Sequence, residues 1–194
     1  MSAELRGIIL FMSCVKEINV NKQYGQLWLD FMSAILAFTV FIITYLPMNY
    51  LFPDTVINTE SLSIFTLFLI GLYPIHKLIH YIPLMPVNKN IKKSLELRSK
   101  CVPMIQLKVN EPVPKLMYLS ALIAPILFIN GTLLLLMLSF QQYGAFFIIL
   151  LSLHIGLSCR DLIYIKIVMN TPKFSYIEEN EVGLNILIQI KETR

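Results

Sequence analysis

Charge is scarce in this chain. Of its 194 residues 14% are charged and 56% are hydrophobic, whereas a soluble domain is about 25% charged and about 45–50% apolar. The net charge of +4 is modest, and in a chain this apolar it reads as an orientation signal rather than a nucleic-acid surface. Cysteine is scarce as well. Cys14, Cys101 and Cys159 are odd in number, widely spaced and never in a C-x-x-C pair, so neither a disulfide framework nor a thiolate zinc site is suggested. A cleavable leader is not apparent either. The N-terminal apolar patch, Gly7 to Val15, is short and lacks a small-residue cleavage site; it reads as a small strand or an interfacial helix. Internal repeats and low-complexity tracts are not visible. Basic residues are missing from two short segments, 53–61 and 141–144.

The apolar residues that remain are collected into runs near the length that crosses a hydrocarbon core, about 20 residues at 1.5 Å each, and the mean hydropathy is +0.68. Four spans are expected, at about 31–51, 62–85, 117–140 and 145–169, in an all-α membrane protein. The expected organisation is an N-terminal segment over 1–30, a four-helix transmembrane domain over 31–169 and a tail over 170–194. Between the second and third spans lie Lys89, Lys92, Lys93, Arg98, Lys100, Lys108 and Lys115. By the positive-inside rule this connector is cytoplasmic, and so are both termini. Small β elements are expected outside the membrane. One is Pro103 to Val109 in the connector, which partly alternates apolar and polar residues. The other is a hairpin in the tail, from Phe174 to Ile190 around Glu178-Glu179-Asn180-Glu181-Val182-Gly183.

Ionisable side chains inside spans are costly and mark function. Here they are His76, Lys77, His80, His154, Arg160 and Asp161, all in the second and fourth spans. His76 and His80 lie four residues apart, one turn along one helix face. Asp161 falls at a similar depth in the cytoplasmic half. Two imidazoles and one carboxylate make a zinc ligand set with a position left open for water or substrate. His154, Ser158 and Asp161 form a polar stripe at i, i+4, i+7, so His154 and Ser158 are candidates to orient the ligands. Lys77 and Arg160 read as snorkelling cations, or as partners of Asp161 in a network without metal. Asn130-Gly131-Thr132 reads as helix-packing glue.

The segment Pro74-Ile75-His76-Lys77-Leu78-Ile79-His80, the Pro112-Val113-Pro114-Lys115 connector, and His154-Ile155-Gly156-Leu157-Ser158-Cys159-Arg160-Asp161 together resemble a bacterial membrane family described as putative zincin peptidases. That family looks distantly related to the site-2 intramembrane metalloproteases, and the resemblance spans roughly 62–187. It implies zinc held by His76, His80 and Asp161, a bacterial plasma-membrane location, and a membrane-protein or peptide substrate. The chain departs from the zincin H-E-x-x-H helix at Lys77, which stands where the water-activating glutamate should be. A lysine is cationic unless strongly desolvated and cannot replace a carboxylate base. The expectation is therefore an inactive or atypical zincin, a pseudoenzyme with no catalytic residue in the motif. Two other readings stand beside it. One is an active hydrolase with a base from elsewhere, for which Glu111 is the nearest nameable carboxylate. The other is a non-enzymatic regulator or transporter-like subunit.

Overall fold

The computed structural model describes residues 11–51, 61–85, 112–179 and 183–190. A strand, β1 (Phe11–Ile18), leads into a short helix, α1 (Val20–Tyr24), and then into the long α2 (Gln26–Leu51). Asn19 caps α1, its side-chain oxygen accepting from the Lys22 backbone N–H at 2.9 Å. Next come α3 (Leu62–Tyr81) with a 3₁₀ turn at Ile82–Leu84, a two-residue strand β2 (Val113–Pro114), and α4 (Lys115–Ser139). The chain ends in α5 (Gly144–Leu157), α6 (Cys159–Met169), β3 (Ser175–Glu179) and β4 (Leu184–Ile190). The tail hairpin read from the sequence is thus present. Of the N-terminal patch, Phe11 to Val15 lies in strand β1, which continues to Ile18, and Gly7 to Leu10 lie outside the described residues. Pro103 to Val109, Cys101 and Glu111 lie outside the described residues.

Three helices are long and apolar enough to cross a membrane: 26–51, 62–84 and 115–139. A fourth span exists if the pair α5–α6, bent by 44°, is counted as one. The first helix starts at Gln26 rather than near residue 31. The sequence reading of one continuous helix over 145–169 is corrected by a break at Ser158. Glycine and serine lower helix propensity at Gly156 and Ser158. The Ser158 hydroxyl also donates to the carbonyl of His154 at 2.9 Å, a back-bond that bends helices.

Apolar side chains cover the outside of the bundle. In the most apolar stretch of α2 only 6% of residues are buried, and Leu27, Phe31, Phe38, Ile43 and Leu46 are all exposed. So much contiguous apolar surface would be unfavourable in water and suits a bilayer. Inside, Ile129, Leu133, Leu150 and Leu151 pack between α4 and α5.

The four strands form one antiparallel sheet in the order β1-β4-β3-β2. Its apolar face closes one end of the bundle, where Ile18, Val113, Ile177, Leu184 and Ile186 pack with Leu84, Tyr118, Leu122 and Val168. Lys115 strengthens this end, its ammonium donating to the carbonyls of Met169 at 2.9 Å and Thr171 at 2.6 Å. That satisfies acceptors at the C-terminus of α6, where a cation is also favoured by the helix dipole.

α2 reaches α5 through Gly156. A Cβ there would come within 2.8 Å of both the Ala37 Cβ and the Ser33 carbonyl oxygen, and the Ser33 hydroxyl donates to the Gly156 carbonyl. Gly156→Ala should therefore destabilise the protein by about 1–3 kcal/mol, the usual cost of overpacking. Unfolding in detergent should show a lowered midpoint, and an unchanged one would mean that α2 is not seated on α5 at this contact.

Candidate metal centre

The break at Ser158 starts a new helix and places Asp161 in its first turn, where the dipole favours a carboxylate. Across from it, α3 presents His76 and His80 on one face, one turn apart. His76 is 2% exposed and His154 is 0% exposed.

The protons of the three imidazoles follow from their partners. The Asn130 amide presents its oxygen, which can only accept, 2.7 Å from Nδ1 of His154, and in that amide orientation the nitrogen carries the proton. Nε2 of His154 is then a bare acceptor, 3.0 Å from Nδ1 of His76, which donates to it. Nδ1 of His80 donates to the carbonyl of Ala121 at 2.8 Å. In the neutral rings, Nε2 of both His76 and His80 is left with a free lone pair.

Those two lone pairs face each other at 3.1 Å. Asp161 Oδ2 lies 3.1 Å from the first and 3.5 Å from the second. The carboxylate oxygen makes no hydrogen bond, and it is the only buried side-chain polar atom among the described residues without one. Three electron-rich atoms in a buried site, with no proton assigned between them, are unfavourable unless a cation joins them. Their spacing suits one. Tetrahedral zinc with ligands at about 2.0–2.1 Å keeps neighbouring ligand atoms about 3.3–3.4 Å apart. His76, His80 and Asp161 are thus a buried group that could hold a metal ion.

The other candidates from the sequence fall as follows. His154 meets Nδ1 of His76, the ring nitrogen other than the one near Asp161. The Ser158 hydroxyl donates to the carbonyl of His154 on its own helix. Arg160 turns away from Asp161 and pairs with Asp30 of α2 at 2.8 Å. Asn130, read as packing glue, instead anchors the chain Asn130–His154–His76. An amide in the middle of an apolar span could have flagged it, but its partner is on another helix. Lys77 is half-buried.

One carboxylate missed by the sequence reading also belongs here. Glu179, the last residue of β3, accepts the Tyr118 hydroxyl at 2.8 Å. Burial pushes its carboxyl above the usual glutamate range. The Tyr118 bond and then the positive charge of Lys77 act in the opposite sense, and His80 and Asp161 are also within electrostatic range.

The relay behind His76 makes a prediction. Ligand-orienting partners are typically worth 10–100-fold in metal affinity. Asn130→Ala and His154→Ala should each weaken zinc binding by about that much, measured by competition with a chromogenic chelator. Because the two act in one chain, the double variant should lose little more than either single. Additive losses would mean that they act separately.

The sequence model of one family, described as putative zincin peptidase, matches residues 69–176. The match takes in His76, His80, Asn130, His154 and Asp161, and it stops just before Glu179. No curated protein and no solved structure matches.

Proposed function

Because the chain belongs to the putative zincin peptidase family, whose model covers more than half of it, we propose that it is a multi-pass membrane protein built around a zincin-type zinc centre. His76, His80 and Asp161 hold the ion, Asn130 and His154 orient His76, and the Ala121 carbonyl orients His80. The observation that carries this reading is the convergence of two bare Nε2 atoms and an unpartnered buried carboxylate oxygen at ligand spacing. Bound zinc would polarise a peptide carbonyl and acidify a water molecule.

Four membrane crossings with both ends in the cytoplasm are the proposed topology, supported by the apolar helices and the basic connector. The substrate class is a membrane-spanning or membrane-adjacent peptide. As a peptidase the protein is atypical, because Lys77 leaves the metal-binding helix without a proton acceptor. The non-enzymatic alternative replaces the metal by a proton between Asp161 and an imidazole, supplied by a cationic ring or by a neutral His76 in its other tautomer with the Asn130 amide reversed.

Metal analysis of protein purified without chelators, followed by zinc reconstitution, separates the two. About one zinc per chain, bound with all three ligands intact, supports the centre. Protein that takes up no zinc, and whose stability ignores zinc, supports the proton network instead.

A further inference from the structure

The helix that supplies both histidines has a cation where a zincin carries its carboxylate, and the sheet brings a carboxylate back. β3 pairs with β4 and β2, and Ile177, buried to 1% exposure, is pinned in the core that joins sheet and bundle. Two residues later Glu179 points at the same part of α4. Its Oε1 accepts from the Tyr118 hydroxyl at 2.8 Å. Tyr118 lies three residues before Ala121, whose carbonyl holds His80, so both contacts use one face of α4 about one turn apart. The Glu179 carboxylate is thereby held on the same helix, α4, whose Ala121 carbonyl holds His80. Lys77 of α3, His80 of α3 and Asp161 of α6 are the charged and titratable groups of the centre within its electrostatic range. Tyr81 of α3, Tyr118 of α4 and Tyr164 of α6 are the tyrosines within its electrostatic range.

We propose that Glu179 is the proton acceptor of this centre, delivered by the C-terminal hairpin in place of the carboxylate that Lys77 displaces from the helix. The proposal rests on the metal-centre reading above. In the hydrolysis it serves, one water is consumed. The water oxygen bonds to the peptide carbonyl carbon while one of its protons passes to Glu179. The carbon–nitrogen bond then breaks, and that proton passes from Glu179 to the leaving amine. No oxidant or further reactant is needed. Lys77 has a defined part as the cation that favours the ionised form of Glu179 against its burial.

The test uses cobalt as a visible stand-in for zinc and acetohydroxamic acid as the probe. A hydroxamate binds a metal as its anion and gives its proton to a neighbouring acceptor. The full-length protein in detergent is loaded with cobalt, and acetohydroxamate is titrated while the cobalt absorption is followed. Glu179→Gln keeps the size of the side chain and an oxygen for Tyr118. It should leave cobalt stoichiometry unchanged and weaken acetohydroxamate binding by about 10- to 100-fold, the worth of a charge-assisted hydrogen bond. Glu179→Asp should recover part of the loss. Unchanged affinity in Glu179→Gln, with cobalt bound normally, would overturn the assignment and leave the metal centre standing. Loss of cobalt from Glu179→Gln would mean that the carboxylate holds the centre together, and would also overturn it. Wild-type protein that binds no cobalt would overturn both readings.

Discussion

Replacing His76 by alanine should abolish stoichiometric zinc binding, and with it all stabilisation by zinc. This residue is used twice: its Nε2 is one of the three converging atoms, and its Nδ1 is the partner of His154. Alanine removes a ligand and leaves the His154 Nε2 buried without a donor, at a further cost of about 1–3 kcal/mol. A metal that binds only the folded state stabilises it by about 4 kcal/mol when present at 1,000 times its dissociation constant. The wild-type protein should therefore show a zinc-dependent rise in its unfolding midpoint that His76→Ala lacks entirely. His80→Ala and Asp161→Ala should behave alike toward zinc but differ without it. Asp161→Ala removes an unpartnered buried carboxylate, so the metal-free variant should be no less stable than the metal-free parent. If metal-free Asp161→Ala proves strongly destabilised, the carboxylate already has a firm partner in the absence of metal and the ligand set is wrong.

The second large effect concerns Lys77. Glutamate at this position restores the zincin helix pattern, placing a carboxylate directly after His76. In the otherwise unaltered protein it would also face Glu179, and two nearby carboxylates raise each other's pKa. The informative background is therefore Glu179→Gln. There, Lys77→Glu should raise hydrolysis of a quenched-fluorescent peptide with an apolar segment by about 10²–10⁴-fold, the usual contribution of a general base. The comparison is between the double variant and Glu179→Gln alone, both zinc-loaded. A double variant that binds zinc normally and stays silent would show that position 77 does not face the reacting atoms, and the alignment with zincin helices would fail.

These expectations separate what the sequence carries from what it hides. The i, i+4 pair His76 and His80 was legible because one helix sets their geometry. Asp161 was legible because depth along two spans can be counted from either end. The i, i+4, i+7 stripe of His154, Ser158 and Asp161 assumed one continuous helix, and the break at Ser158 divides it. Everything that depends on which element stands opposite was not legible. Asn130 meets His154 across a helix interface, and periodicity reports only the face of a single helix. Arg160 finds Asp30 on α2, where the sequence reading assigned it to lipid headgroups or to Asp161. Ser158 was read as a ligand-orienting hydroxyl, but it spends its hydrogen bond on the backbone that it bends. Glu179 was visible as part of an acidic hairpin, yet its approach to Tyr118 depends on how β3 sits on the bundle. That is a long-range contact with no local signature.

The pairing of β1 with β4 decides a question of parity. Hydrogen-bonded neighbours in a sheet cannot lie on opposite faces of a bilayer, because the hydrocarbon between them would leave their backbone groups unsatisfied. Ile18 is opposite Leu184 in that pairing, so the two flanks of the helical region share one compartment. The number of crossings between them must then be even. Among the described helices, three long ones and a re-entrant pair would be odd and would not fit the proposed four-crossing topology. Three long helices and a bent span across α5–α6 are even and are allowed. On the proposed reading that the long helices cross a bilayer, a backbone ladder of a few residues thus favours the broken helix as a full traverse, independently of any count of lysines and arginines.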